Sequence, residues 1–141
     1  MAAHSGRTLT AAIVAAVDAA LPANCPVYQA RAPREAAPPY AVVHATNGTA
    51  DGSVADQSDY SGAYQVTYVA IGPDQADAAA DLVRAALVMS TPTVTGRAVD
   101  AIQLDYSLGA TPDEDITLAG PATTEPLYVA RDGYRVTTHA A

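Results

Sequence analysis

Apolar residues recur at helical spacing in two stretches of the chain. Near the N-terminus they are four residues apart, which predicts a helix over about Thr10–Leu21 with one apolar stripe. Pro22 ends this helix, because the residue before a proline is disfavoured in the helical region. The stripe consists of Leu9, Ile13, Val17 and Leu21.

The second helical pattern follows Gly72 and Pro73 and predicts a helix over about Asp74–Met89. Its polar face carries Asp77, Asp81 and Arg84. An apolar face made mostly of alanine lets a helix lie close to a sheet. That face consists of Ala76, Ala79, Ala80, Val83, Ala86 and Leu87.

Short runs of alternating, β-branched or aromatic residues predict strands. The last two flank Asp132-Gly133, a favoured two-residue turn, and predict a C-terminal hairpin. The predicted strands are Val27–Ala30, Tyr40–Thr46, Tyr64–Ile71, Arg97–Tyr106, Leu127–Arg131 and Tyr134–Thr138.

Two long segments between these elements are rich in turn-forming residues. Asn47–Gly62 is polar and acidic and predicts a long flexible loop or arm, the first place to expect a partner contact. Gly109–Pro126 is the second such segment, and its acidic run Asp113-Glu114-Asp115 is typical of a solvated turn rather than a metal site.

The order of elements predicts an α+β fold. We expect a two-layer sandwich in which two helices cover one face of a mainly antiparallel sheet of about four to five strands. At 141 residues the chain is most simply one domain, residues 1–141.

Net charge argues against a nucleic-acid-binding surface. The chain has a formal charge of −8 and no lysine, and its seven arginines are scattered, whereas phosphate binding needs clustered cations. The apolar run from Leu9 to Leu21 is too short to span a bilayer and contains Asp18. We therefore expect no membrane contact, and the single cysteine, Cys25, permits no internal disulfide.

The common catalytic and cofactor-binding motifs are missing from the sequence. Its histidines, His4, His44 and His139, are far apart. A hydrolase that uses His44 with a loop carboxylate such as Asp59 is the weakest hypothesis, because nothing places a nucleophile beside them. We expect no enzymatic activity, no cofactor and no metal.

Acidic residues in the first long segment have two interpretations. Asp51, Asp56 and Asp59 either keep the chain soluble or form a negative lining on an assembled surface. Together with Tyr60 they are the candidate residues for an assembly interface or a channel lining.

Several strings of this layout resemble the tail terminator proteins of long-tailed bacteriophages, also called minor tail or tail completion proteins. The resemblance begins with the amphipathic first helix and Pro38-Pro39-Tyr40-Ala41-Val42-Val43. It continues through Gly62–Ile71 and the helix ending Asp81-Leu82-Val83-Arg84-Ala85-Ala86-Leu87, and closes with a late strand and the C-terminal hairpin.

The resemblance implies a subunit that assembles with itself into a ring, typically a hexamer, on the end of the tail tube. Such a ring ends polymerisation of the tail-tube protein and offers a surface to the head-neck connector protein, while DNA passes through without specific binding. It implies no catalytic site, and a location in the virion tail after assembly in the host bacterial cytoplasm. The alternatives are a neighbouring neck component and a free-standing α+β ligand-binding or dimerisation module.

Overall fold

The computed structural model describes residues 6–33, 36–51, 59–117 and 126–140, which form two helices and six strands. The two 15-residue helices are α1 (Gly6–Ala20) and α2 (Pro73–Leu87). The strands are β1 (Val27–Gln29), β2 (Tyr40–Asp51), β3 (Asp59–Ala70), β4 (Arg97–Val99), β5 (Gln103–Thr117) and β6 (Pro126–Ala140).

All six strands belong to one sheet. Its order is β1-β2-β3-β6-β4, and β5 pairs with β6 on the same side as β4. Among the described strands β1 and β2 pair in parallel, and the other pairs are antiparallel. The predicted α+β class with a mainly antiparallel sheet is confirmed, and the described sheet has six strands where four to five were predicted.

Both helices pack on one face of this sheet, called the helix face here. The predicted stripe of α1 is buried, and α2 buries Ala76, Ala80, Val83 and Leu87. Alternate residues of the strands complete this core, because successive side chains of a strand point to opposite faces. They include Ala41, Val43, Tyr64, Val66, Tyr68, Ala130, Tyr134 and Val136.

The other face of the sheet, called the open face here, has a smaller apolar cluster. Val69 and Val129 are paired across β3 and β6, and they are buried together with Leu127. Tyr40, which pairs with Val69, packs against them. No described helix takes part in this second cluster.

The predicted C-terminal hairpin is wrong. Residues 126–140 form one continuous strand, with Asp132 and Gly133 in its middle. Both residues have a tertiary reason to be there: Asp132 is bonded to Arg84 and Ser107, and Gly133 makes room for the ring of Tyr106. Turn propensity is overridden because β6 lies between β3 and β5 and is paired on both sides.

Helix α1 begins at Gly6 rather than at the predicted Thr10, and three strand or loop assignments also differ from the predictions. The predicted loop over Asn47–Gly62 is strand at both ends, since β2 runs to Asp51 and β3 begins at Asp59, and residues 52–58 lie outside the described part. Likewise β5 extends to Thr117 into the predicted second loop. The predicted strand Arg97–Tyr106 is divided, because Ile102 is buried in the core and its backbone bonds to Met89 and Ser90.

Candidate assembly surface

The last paired positions of the two long hairpins lie at opposite ends of the strands. In the β2–β3 hairpin Asp51 is paired with Asp59, and the next residue of β3 lies opposite Thr138 near the end of β6. In the β5–β6 hairpin Thr117 is paired with Pro126, at the other end of β6. A subunit with this topology presents one hairpin end at each end of its strands.

Three of the four predicted interface residues, Asp51, Asp59 and Tyr60, lie at the first of these ends. Asp51 and Asp59 occupy paired positions, and Asp56 lies outside the described residues. Tyr60 is half-buried and packs against the main core beside Gly62. The ring of Tyr60 therefore contributes to the fold, and a role of these four residues in assembly stays a prediction.

The outer strand β5 carries three large exposed apolar side chains that the sequence analysis did not single out. Their relative exposures are 38% for Leu104, 41% for Tyr106 and 55% for Leu108. In the described part of the chain β5 pairs with β6 alone, so its other edge has no strand partner. An apolar, unpaired strand edge is typical of a surface that pairs with another chain.

Tyr106 covers part of the open face. Its hydroxyl donates a 2.7 Å hydrogen bond to Gln65 Oε1 on β3, so the ring crosses the backbone of Gly133 on β6. A Cβ atom at position 133 would overlap that ring. Gly133 is therefore required for close packing within a strand rather than for a turn.

A buried carboxylate fixes β5 and α2 to the middle of the sheet. Asp132 has no exposed surface. Arg84 of α2 donates from Nε to its Oδ2 at 3.0 Å, and Ser107 of β5 donates from Oγ to its Oδ1 at 2.6 Å. A buried charge is tolerated when it is paired and hydrogen-bonded in this way.

A second polar contact joins the same two elements nearer the start of the helix. The backbone N–H of Ala110 donates to Asp77 Oδ1 at 3.1 Å. The exposed edge strand is thus held in place by polar contacts to the helix layer.

Two tyrosines beside this carboxylate are held neutral. Burial raises the pKa of the Tyr68 hydroxyl strongly, and the neighbouring Tyr134 and Asp132 raise it further. Burial also raises the pKa of Tyr134, and the charge of Asp132 adds to the effect. Uncharged phenols in a core stabilise packing and are poor proton acceptors at neutral pH.

The candidate catalytic residues do not come together. His44 pairs with Gln65, six positions along β3 from Asp59. That separation corresponds to roughly 20 Å at about 3.3 Å per strand residue, so the hypothesis of a His44–Asp59 pair is wrong. Burial raises the pKa of Cys25, which makes its thiol a weaker nucleophile at neutral pH.

The described residues provide no constellation for a metal ion. No group of three or more His, Cys, Asp or Glu side chains is close enough to hold one in that part of the chain. The side chains of Asp113, Glu114 and Asp115 lie outside it. Neither described helix has the length and apolar character needed to cross a membrane.

A small groove lies between α2 and the segment that follows α1. Its volume is about 140 Å³, and its lining includes Pro22, Cys25, Pro39, Ala79 and Leu82. Pockets for small organic ligands typically measure about 300–1,000 Å³. This groove by itself is smaller than such a pocket.

Three arginines are engaged within the chain and do not form a cationic surface. Arg84 pairs with Asp132 and Asp81, and Arg135 pairs with Asp105 at 3.2 Å. Arg97 is nearly buried and donates to Thr138 Oγ1 at 2.9 Å. Together with the net charge of −8, these pairings leave a low density of positive charge for binding phosphate.

No protein-family model matches the chain, and no curated protein matches it. Among solved structures, a chain of the "Virion of native gene transfer agent (GTA) particle" is similar, with a TM-score of 0.59 and 17% sequence identity. The match covers 95% of this chain and 96% of that one.

A second solved chain, which carries no descriptive name, is similar with a TM-score of 0.60 and 14% identity. Here the match covers 96% of this chain and 93% of the other. At these identities the likeness establishes a shared fold, and it extends over nearly the whole of each chain.

Proposed function

We propose that this chain is a structural protein of a phage-like virion. The observation that carries the proposal is the fold, which is shared end to end with a chain of a gene transfer agent virion. Proteins that share only a fold often differ in function. The sequence resemblance to tail terminators, which is independent of that comparison, supports the same class.

Within that class we propose a ring, typically a hexamer, that caps the tail tube. The ring ends polymerisation of the tail-tube protein and provides the surface on which the head-neck connector protein joins. The β2–β3 and β5–β6 hairpins end at opposite ends of the strands, and this arrangement suits such a ring. In a ring, the hairpin ends on one side can contact the tube, and those on the other side can contact the neck. Asp51, Asp56, Asp59 and Tyr60 are the proposed contact or channel-lining residues at one of these ends.

The charge of the subunit fits passage of DNA without binding. A ring of copies that each carry −8 repels phosphate, so DNA can move through it without being held. The proposed location is the virion tail, after assembly in the host bacterial cytoplasm.

The direct test is a tube-capping assay by electron microscopy. The purified chain is added to the polymerising tail-tube protein encoded nearest to its gene, and tube lengths and tube ends are measured. We expect ring-shaped particles, a distinct density at one end of each tube, and tubes that shorten as the chain is added. Unchanged lengths and bare ends would overturn the capping role, and a monomer under all conditions would favour the free-standing module.

Replacement of residues 52–58 by a short turn tests the proposed contact at the first hairpin end. The substitution keeps the paired positions 51 and 59 of the strands. We expect an unchanged fold and reduced tube capping. Normal capping by this variant would remove Asp56 and its neighbours from the interface.

A further inference from the structure

Among the described residues, two strands of the sheet have edges without a strand partner on opposite sides of the subunit. One is the outer edge of β5, which pairs only with β6 in the described part of the chain. The other is the outer edge of β2 after Val43, because β1 covers β2 only at residues 41–43. Each free edge exposes backbone N–H and C=O groups that a further strand can satisfy.

These edges have opposite strand directions. The pairs β2–β3, β3–β6 and β6–β5 are all antiparallel, so β2 and β5 run in opposite directions within one subunit. If a second copy stands beside the first in the same orientation, its β2 runs antiparallel to the first copy's β5. A contact between two different edges of identical subunits is heterologous and generates a ring when the rotation closes.

The cross-strand register places the two free edges at the same height. One row crosses the sheet through Ala45, Tyr64, Tyr134 and Leu104. The adjacent row passes through His44, Gln65, Gly133 and Tyr106. The part of β2 that β1 leaves open therefore begins level with the exposed apolar residues of β5.

Charge favours a head-to-tail contact over a two-fold one. On the β1 side Arg7 and Arg31 are exposed, and Arg7 lines a shallow depression with Gln29. The β5 side carries Asp77, whose Oδ1 accepts from Ala110 of β5, while Asp105 is already paired with Arg135. A head-to-tail contact brings the two arginines toward Asp77, whereas a two-fold contact of the β1 side with itself brings the arginines together.

We propose that the partner of the β5 edge is a second copy of this chain, and that residues 103–106 pair antiparallel with residues 44–47 of that copy. The proposal rests on the ring proposed above and names the contact that builds it. Leu104 and Ala45 are both exposed on the helix side of the sheet and lie in the same row. Facing residues of an antiparallel pair have Cα atoms about 4.5–5.5 Å apart, a distance that a disulfide can bridge.

Disulfide trapping tests this pairing. In a Cys25→Ala background, the double variant Ala45→Cys/Leu104→Cys is oxidised and examined on a denaturing gel, after circular dichroism has confirmed the fold. We expect a ladder of covalently linked oligomers from the double variant, and linked dimers when the two single variants are mixed. Neither single variant alone should be linked, because each contact needs one cysteine of each kind.

The matched control is Ala45→Cys/Leu108→Cys. Leu108 is paired with Arg131 and lies on the open face, so its cysteine points away from position 45. Equal linking in this control would show random collision and overturn the proposal.

Native mass spectrometry of the wild-type chain separates this proposal from the ring itself. If the wild-type chain forms a ring but the Ala45→Cys/Leu104→Cys variant does not cross-link, the edge pairing is overturned and the proposal of a ring is retained. A monomer at high protein concentration overturns both.

Discussion

The helix face and the open face of the sheet are made by the same strands but use their residues differently. On the helix face Tyr64, Val66 and Tyr68 are buried under two helices, and even the carboxylate of Asp132 is paired there. On the open face and the outer strand β5, Tyr106 and Leu108 stay exposed. The comparison indicates that the helix face holds the fold together, while the outer edge is available to other chains.

Removal of Asp132 should have the largest effect on stability. Asp132→Ala removes the partner of Arg84 and a bond to Ser107, and should lower the free energy of unfolding by about 3 kcal/mol, measured by urea denaturation. The control Asp81→Ala removes the exposed pair of the same arginine and should cost no more than about 0.5 kcal/mol. Equal costs would mean that burial of Asp132 does not matter.

Alkaline pH should cause the second-largest loss of stability, through the buried tyrosines of the helix face. The pKa values of Tyr68 and Tyr134 are raised above the ordinary value of 10.0, so these phenols keep their protons when the unfolded chain has lost them. The native state then binds more protons than the unfolded state, and stability is lost as pH rises above about 10. We expect a loss of up to about 1.4 kcal/mol per pH unit for each tyrosine.

Denaturation midpoints from about pH 9 to about pH 11 measure this loss. The absence of lysine makes the chain favourable for the experiment, since the tyrosines and the single thiol of Cys25 are the groups that ionise there in the unfolded chain. Tyr68→Phe should reduce the slope of stability against pH. A slope unchanged by this substitution would contradict the assignment.

Gly133→Ala probes the point where β5 crosses the open face. The new methyl group displaces the Tyr106 ring and its bond to Gln65, so we expect a cost of about 1–2 kcal/mol. Gly109→Ala is the matched control, because a Cβ there meets nothing within 4 Å. In the double variant Gly133→Ala/Tyr106→Ala the two costs should be less than additive, and full additivity would rule out the clash.

A charge introduced on the outer edge by substitution should have the smallest effect on the stability of the fold and a large effect on assembly. Leu104→Arg changes an exposed residue, so stability should shift by less than about 0.5 kcal/mol. Sedimentation velocity should show that this variant no longer forms the oligomer. Leu82→Arg, at a comparably exposed position on α2, should leave the oligomer intact, and its dissociation instead would place the interface on the helices.

The helix layer could be predicted from sequence because helical periodicity is a local signal. The spacing of Leu9, Ile13, Val17 and Leu21 marks a buried stripe, and Pro22 and Pro73 mark helix boundaries without knowledge of neighbours. The α+β class follows from the same local patterns.

The extent of the strands and the exposure of the β5 edge could not be predicted, because they depend on partners distant in sequence. Asp132-Gly133 has the local chemistry of a turn, and only the contacts with Arg84 and Tyr106 explain why the strand continues through it. Leu104, Tyr106 and Leu108 alternate like any half-buried strand. Their exposure becomes visible only once β5 is known to lie at an edge.

Native mass spectrometry of the purified wild-type chain is the most direct test of the claim that the outer edge joins identical copies in a closed ring. We expect one dominant closed assembly, a hexamer, that Leu104→Arg converts to monomer. A wild-type chain that remains monomeric at high concentration, or an assembly that Leu104→Arg leaves intact, would contradict it.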